Sequence, residues 1–260
     1  MPRFSANLGY LWALLPLLER MDRAALAGFK AVEMHWPYDV APLDVKAAAE
    51  RHGLALLALN TALGDASKGE SGLAALPGRE TQFHATFDEA LAYCLAAGMR
   101  CIHVMAGVVA PSQAVEATAT FAENLRIAAQ KAAAHGVTLL LEPLNARDKP
   151  GYFYSTIDRA CEMILRVGEP NIKLMFDVYH VAVSEGDVLT RLARCLPMIG
   201  HVQIAAVPSR AEPDEGEIAY RALFDALDAH GYAGWVGCEY KPRGDVAEGL
   251  RWLKTLGVAL

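Results

Sequence analysis

Short apolar runs alternate with longer amphipathic stretches along the whole chain. The runs are rich in apolar and β-branched residues, which is typical of parallel strands buried on both faces. They predict strands at 4–8, 31–34, 54–60, 101–105, 138–142, 172–177, 199–205 and 235–239. Between them, apolar residues recur at helical spacing and predict helices at 16–27, 42–52, 84–97, 112–135, 156–167, 187–196, 220–230 and 245–256.

Glycine separates each helix from the next strand at most of these junctions, at positions 28, 53, 98, 136, 168 and 231. Glycine is favoured just after a helix because it enters the left-handed region without strain. His52, His135 and His230 each precede such a glycine, and we expect them to favour the helix dipole rather than to bind a ligand. Residues 61–82 and 206–217 are predicted loops, and a loop as long as the first is usually functional or mobile.

Eight strand–helix units closed by short turns predict an α/β fold, a single (β/α)8 TIM barrel over residues 1–260. The length matches the roughly 250 residues of such a barrel. No linker or block of like charge divides the chain. The main alternative is an open doubly wound sheet, which the absence of a GxGxxG motif after the first strand disfavours.

Composition narrows the function classes. The formal net charge is −6 and no stripe of Lys or Arg is present, which argues against nucleic-acid binding through phosphate neutralisation. A small anionic substrate stays open because it needs only local charge. Five cysteines without CxxC spacing predict reduced thiols in a cytoplasmic protein. No apolar run reaches the roughly 18 residues of a membrane span, and the first residues do not resemble a signal peptide.

Four oxygen-bearing side chains lie near the ends of four consecutive predicted strands: Glu142, Asp177, Gln203 and Glu239. Their spacings of 35, 26 and 36 residues match one strand plus its crossover helix, about 30 residues. The C-terminal ends of all barrel strands open on one face. We therefore expect the four side chains to converge there, although strand-end polar residues satisfied by loops are the simpler alternative.

Three neighbouring carboxylates cannot all stay ionised without a cation. An all-oxygen donor set favours Mg²⁺ or Mn²⁺ over zinc, and strand alternation turns Cys238 away. Such a metal, chelated by a ketone oxygen and an adjacent hydroxyl, would act as a Lewis acid. Glu142 and Glu239 would move a proton between the two carbons. The pattern thus predicts aldose–ketose isomerisation or epimerisation through an enediolate.

Further polar residues follow the same strands. His180 lies three residues past Asp177, and Arg210 follows the seventh strand; both are candidates to contact substrate. Lys241, with Arg243 beside it, could offset an anionic substrate. A capping or loop histidine, and exposed loop cations, are the structural alternatives. His201 is expected one layer deeper than Gln203.

The sequence resembles the hydroxypyruvate isomerase family, within the xylose-isomerase-like barrel superfamily. The resemblance covers nearly the whole chain. It rests on Met1-Pro-Arg-Phe-Ser-Ala-Asn-Leu8, Val32-Glu-Met-His-Trp-Pro-Tyr38, Asn60-Thr61 with Gly64-Asp65, Leu76-Pro-Gly-Arg-Glu80, His103-Val-Met-Ala-Gly107, Glu142-Pro-Leu-Asn145, Gly200-His-Val-Gln-Ile-Ala205 and Gly237-Cys-Glu-Tyr-Lys-Pro-Arg-Gly244.

This resemblance implies reversible conversion of hydroxypyruvate to tartronate semialdehyde. It implies a divalent metal held by Glu142, Asp177, Gln203 and Glu239, with the two glutamates moving the proton, and it allows a homo-oligomer. Ala182 departs from the Gln expected in many relatives, so the substrate pocket is expected to differ there.

Related activities remain as alternatives: 2-oxo-tetronate isomerase or sugar 3-epimerase, with the segment 61–82 and Ala182 expected to decide substrate length. From other classes we weigh an apurinic-site endonuclease, which would need a histidine-rich multi-zinc cluster and a basic surface. A non-catalytic sugar-binding barrel is the third alternative, and it has little need of both glutamates.

Overall fold

The computed structural model describes residues 1–260. Parallel strands form a (β/α)8 barrel surrounded by helices, as predicted. The strands are β1 Arg3–Asn7, β2 Ala31–Glu33, β3 Ala55–Leu56, β4 Ala58–Asn60, β5 Cys101–His103, β6 Thr138–Leu141, β7 Ile172–Asp177, β8 Ile199–Ile204 and β9 Trp235–Cys238. The helices are α1 Leu17–Leu26, α2 Pro42–His52, α3 Glu80–Ala97, α4 Ala114–Ala133, α5 Ile157–Val167, α6 Val178–Ser184, α7 Val188–Cys195, α8 Tyr220–Ala229, α9 Val246–Gly249 and α10 Trp252–Thr255.

The third of the eight predicted strands is split in two. Its first half, β3, pairs with β2, and its second half, β4, pairs with β5. Backbone hydrogen bonds nevertheless join the split strand to β2 and the residues after it. Leu57 N–H donates to Val32 O at 2.9 Å, and Asn60 N–H donates to His35 O at 2.8 Å. The barrel therefore closes through this strand.

The register sets the height of the polar side chains. Asp177 on β7 pairs with Gln203 on β8, and Gln203 pairs with Gly237 on β9. Asn7 on β1 pairs with Glu33 on β2. These residues lie at or near the C-terminal ends of their strands, so their side chains are held at one end of the barrel.

Packing divides the apolar residues between two layers. One cluster of 69 buried residues lies mainly between the strands and the surrounding helices. A second cluster consists of only three buried residues, Ala58, Leu140 and Met175. Many inward positions are instead polar and buried, among them Ser5, Glu33 and His201. The barrel interior is therefore mostly polar, apart from the small apolar layer formed by Ala58, Leu140 and Met175.

Several predicted boundaries need correction. The segment 61–82 is not wholly a loop: it contains a 3₁₀ turn at Ala66–Lys68, a bridge from Gly72 to Ala106, and the start of α3. Helix α6 was not predicted; it begins directly after β7 because Asp177 Oδ1 accepts a hydrogen bond from Tyr179 N at 2.8 Å. The last predicted helix is two short helices, with Gly249 at the end of the first, where glycine weakens a helix.

The predicted helix ends are confirmed: all six glycines after the helices have positive φ. His52 lies in the last turn of α2, where its Nε2 is 2.7 Å from Asp22 Oδ1. His135 and His230 are exposed beyond the ends of α4 and α8. None of the ten helices has the length and apolar character that crossing a membrane requires.

Candidate active site

A cavity opens at the C-terminal end of the barrel. Its empty volume is about 630 Å³, including the part open to solvent. The side chains around it are unusually rich in charge and imidazole for so small a space. The charged and imidazole residues that line it are Glu33, Glu142, Asp148, Glu239, Lys149, Arg210, His35, His103 and His180.

The four predicted metal ligands are all buried at this end of the barrel. Glu142 directly follows β6 and Glu239 directly follows β9, while Asp177 ends β7 and Gln203 lies on β8. Gln203 Nε2 donates to Glu239 Oε2 at 2.7 Å. The strand-end spacing therefore did bring these side chains into one neighbourhood.

Three of these four residues each carry a buried oxygen with no hydrogen-bond partner: Glu142 Oε1, Asp177 Oδ2 and Gln203 Oε1. The amide orientation of Gln203 is fixed, because its Nε2 donates both to Glu239 and to Glu33 Oε1 at 2.9 Å. A buried acceptor without a donor costs stability. Unsatisfied oxygens of this kind fit a hard divalent cation.

The carboxylates differ in electrostatic environment. Burial, followed by the charges of Glu239 and Asp177, raises the pKa of Glu142 well above its usual range. Burial also raises the pKa of Asp177 to about 7, against the opposing effect of Arg210. Burial would raise the pKa of Glu239 as well, but His35 and Arg210 lower it to about 2. A cation bound among these groups would favour the ionised forms of Glu142 and Asp177.

His180 lies beside the carboxylates. Side-chain atoms of Glu142, Asp177 and His180 lie within 4.8 Å of one another, a spacing that could hold a metal ion. However, His180 Nδ1 accepts the backbone N–H of Asn145 at 3.0 Å, and burial lowers the pKa of His180 to about 3. The neutral ring then carries its proton on Nε2, which lies 3.3 Å from Arg210 NH2 and 3.6 Å from Asp177 Oδ2. A protonated nitrogen cannot ligate a metal, so His180 is placed to donate a hydrogen bond.

Arg210 is the main cation beside these groups. Its NH2 donates to Glu239 Oε1 at 2.8 Å, and its NH1 lies 3.4 Å from Asp148 Oδ2. The guanidinium carbon is 4.9 Å from the ring centre of Tyr10 and 4.7 Å from that of Tyr179. These contacts hold the guanidinium against the cavity wall.

The other predicted contact residues lie elsewhere. Lys241 is exposed and does not line the cavity; its backbone N–H donates to Arg210 O at 2.7 Å. Its substrate contact stays a prediction that its position does not support. Arg243 pairs with Glu212 at 2.9 Å outside the cavity. Ala182 lines a separate surface pocket beside α7, so the expectation that it shapes the substrate pocket is not supported by its position.

A second layer, of which the sequence predicted only His201, supports the ligands. Glu33 is buried and accepts Asn7 Nδ2 at 3.0 Å in addition to Gln203 Nε2. Asn7 Nδ2 also lies 2.6 Å from Glu239 Oε2. His201 forms an ion pair with Glu33, which places it one layer below Gln203 as expected. An acid at the end of the apolar run 31–34 was the only sequence signal for Glu33.

Two further histidines line the cavity. His103 on β5 has Nδ1 3.4 Å from Glu142 Oε2, and burial lowers its pKa to about 3. His35 has Nε2 3.5 Å from Glu239 Oε2. Glu239 therefore has one imidazole beside it and Glu142 has two, because His180 Nε2 also lies 3.8 Å from Glu142 Oε1. His35 directly follows the predicted strand 31–34, the same signal that identified the acids, whereas His103 lies inside the predicted strand 101–105.

Gly237 leaves the room that this layer occupies. A Cβ at Gly237 would lie 2.4 Å from Glu33 Oε1 and 3.0 Å from Gln203 Cγ. We expect Gly237→Ala to lower the free energy of unfolding by about 1–3 kcal/mol, the usual cost of overpacking. Urea denaturation measures this directly, and Gly244→Ala, where a Cβ meets nothing within 4 Å, is the control. Equal stability of the two variants would contradict the expectation.

The chain belongs to the xylose isomerase-like TIM barrel family, because a model of that family matches residues 21–256. It is 48% identical to the 2-oxo-tetronate isomerase of Cupriavidus necator, covering 98% of both chains. It is 38% identical to the hydroxypyruvate isomerase of Escherichia coli, covering 97% of this chain and 98% of that one. These relatives place the protein among the isomerases.

One solved structure matches the fold over nearly its full length. The crystal structure of an AP endonuclease, family 2, from Brucella melitensis has a TM-score of 0.95 and 43% identity, covering 98% of this chain and 99% of that one. The barrel architecture therefore agrees with the family.

Proposed function

We propose that the protein is a metal-dependent isomerase of short 2-oxo acids that carry a hydroxyl on the neighbouring carbon. The observation that carries this proposal is the group of three unpartnered, buried oxygens on Glu142, Asp177 and Gln203. They lie at the ends of three consecutive barrel strands, and Glu142 and Gln203 line the cavity together with Glu239, whose electrostatic environment is opposite to that of Glu142.

Glu142, Asp177, Gln203 and Glu239 would hold the cation, for which Mg²⁺ and Mn²⁺ are the candidates because every donor is oxygen. When bound, such a cation supplies Lewis-acid stabilisation of negative charge on the substrate oxygens. The remaining steps belong to the side chains of the protein.

The two glutamates would move the proton. One carboxylate takes a proton from the carbon that bears the hydroxyl, and the other returns a proton to the carbonyl carbon. A proton also passes between the two substrate oxygens, which leaves the atoms balanced. His180 Nε2–H is placed to donate to one of those oxygens, since its Nδ1 is held by Asn145. Arg210 donates a hydrogen bond to Glu239 Oε1 and so holds that carboxylate in a single orientation.

The proposed reaction converts hydroxypyruvate to tartronate semialdehyde, as the family resemblance implies. A four-carbon substrate, 2-oxo-tetronate, is the second candidate, favoured by the 48% identity to the Cupriavidus necator enzyme. Both substrates place an oxo group and a hydroxyl on adjacent carbons, so the same residues would act on either.

DNA cleavage at apurinic sites is less well supported. The proposed ligand oxygens come from carboxylates and an amide, and the His180 nitrogen that faces the carboxylates carries a proton. The net charge of −6 also disfavours a phosphate backbone. The name AP endonuclease describes the Brucella melitensis protein and does not assign that activity to this chain.

Proton NMR in D₂O tests the proposal. Metal-stripped protein is incubated with hydroxypyruvate or 2-oxo-tetronate, with and without Mg²⁺ or Mn²⁺, and quenched with chelator. We expect metal-dependent appearance of the isomer, with solvent deuterium at the former carbonyl carbon. Turnover of only the four-carbon acid would keep the mechanism and select the second substrate. Absence of turnover with both acids would refute the proposal.

A further inference from the structure

The charged groups around the cavity leave one cation without a carboxylate partner. Arg210 contacts both Glu239 and Asp148, so its charge is already balanced. Lys149 also lines the cavity, yet no carboxylate oxygen lies within 4.0 Å of its Nζ. The one side-chain hydrogen bond of Lys149 is from Nζ to Ser71 Oγ, at 3.5 Å.

The backbone of Lys149 is held firmly. Asp148 N–H donates to Asn145 Oδ1 at 2.9 Å, and Lys149 N–H donates to Asn145 O at 3.0 Å. Tyr152 N–H in turn donates to Lys149 O at 3.2 Å. Asn145 is also the residue that fixes the His180 ring. The loop after β6 therefore places the lysine and the proposed His180 donor from one anchor.

The hydrogen bond from Lys149 to Ser71 also links two separate segments of the chain. Ser71 belongs to the segment 61–82 and is buried, while Lys149 belongs to the loop after β6 and is exposed. The Ser71 hydroxyl can accept from the ammonium group and donate to another acceptor at the same time. Lys149 therefore lines a cavity that also contains four carboxylates, and the buried Ser71 hydroxyl holds its ammonium group from behind.

We propose that Lys149, assisted by Ser71, binds the carboxylate of the substrate and selects 2-oxo acids over neutral ketoses. This inference rests on the proposed function, in which the oxo and hydroxyl oxygens face the metal ligands. The carboxylate at the other end of the substrate then needs its own cation, and Arg210 is already paired. Replacing the carboxylate by a neutral hydroxymethyl group removes this contact.

The test uses two ligands of similar shape that differ in charge and are not turned over. Binding of glycerate and of its neutral amide, glyceramide, is measured by calorimetry on Mn²⁺-loaded wild type, Lys149→Met and Lys149→Arg. We expect wild type to prefer glycerate by about 10- to 100-fold, the range for a hydrogen bond to a charged group. Lys149→Met should lose that preference and Lys149→Arg should keep most of it. In turnover, Lys149→Met should raise KM for the 2-oxo acid by the same factor and leave kcat nearly unchanged.

Lys254→Met, the same charge change on exposed α10, is the control and should keep the wild-type preference. A glycerate preference that survives in Lys149→Met, or equal binding of the two ligands by wild type, would overturn the inference. If wild type converts neither 2-oxo acid, the proposed function fails, and the binding comparison still decides the role of Lys149.

Discussion

Glu142→Gln should reduce turnover by about 10²- to 10⁴-fold, the range for loss of a general acid–base group, while the protein stays folded. The substitution keeps the shape of the side chain and removes its ability to take a proton. Glu142 has few partners to lose, because its Oε1 has none and its nearest imidazole nitrogen is 3.4 Å from Oε2. Steady-state kinetics, with deuterium incorporation from solvent as a second readout, measure the loss.

A measurement of thermal stability distinguishes this loss of turnover from a loss of folded protein. The pKa of Glu142 is raised in the folded state, so its contribution to stability is present below its unfolded pKa and is lost as pH rises through the folded value. A neutral Gln avoids that loss, and metal-free Glu142→Gln should melt no lower than wild type. Glu162→Gln, an exposed pair with Arg159 on α5, is the control for the chemical change. Wild-type turnover by Glu142→Gln would contradict the assigned role.

Glu239→Gln offers the contrasting case. Glu239 accepts hydrogen bonds from Asn7, Gln203 and Arg210, and its buried pair with Arg210 would be broken. Breaking such a pair typically costs about 3–5 kcal/mol. This variant should therefore lose both turnover and stability, which makes Glu142→Gln the cleaner test of proton transfer.

Strand-end acids were predictable because two rules act together. The length of each strand–helix unit sets the spacing of Glu142, Asp177, Gln203 and Glu239, and the barrel places all C-terminal strand ends on one face. Neither rule needs long-range information. The same rules missed Glu33 and His103, which end the observed strands β2 and β5, because the predicted strands ran on to Met34 and Met105.

Contacts that depend on barrel closure were not predictable. Asn7 and Glu239 are 232 positions apart and meet only because β1 and β9 pair. Lys241 shows the converse: it follows Glu239 by two residues, yet the chain turns so that its backbone, and not its side chain, contacts Arg210. Helix α6 escaped prediction because its seven residues are almost all apolar and give no helical alternation.

Removal of the divalent cation should abolish turnover, and its binding should depend on pH in a defined direction. The pKa of Asp177 is about 7 in the metal-free protein, so below pH 7 a cation must displace a proton. We expect the Kd for Mn²⁺ to weaken about 10- to 100-fold per pH unit as pH falls below 7, the slope for release of one proton from Asp177 and of a second from Glu142, whose pKa is also raised. Calorimetry at pH 6, 7 and 8, in buffers of different ionisation enthalpy, counts the protons released.

The thermal stability of the metal-free protein should move the opposite way with pH. Because the folded pKa of Asp177 is above its ordinary value of 3.8, its stabilising contribution is lost as pH rises through 7. Mn²⁺ at a fixed concentration of 100 times its Kd at pH 7 adds about 2.7 kcal/mol at that pH, or about 5–10 °C in Tm for a barrel of this size. Because the Kd falls as pH rises, the difference in Tm between metal-bound and metal-free protein should widen from pH 6 to pH 8. Asp177→Asn can still cap α6 through its amide oxygen but cannot titrate, and its metal-free Tm should show less of this loss. A Kd for Mn²⁺ that is equal at pH 6 and pH 8 would show that protons and metal do not compete for these oxygens, and the proposed ligand set would then be wrong.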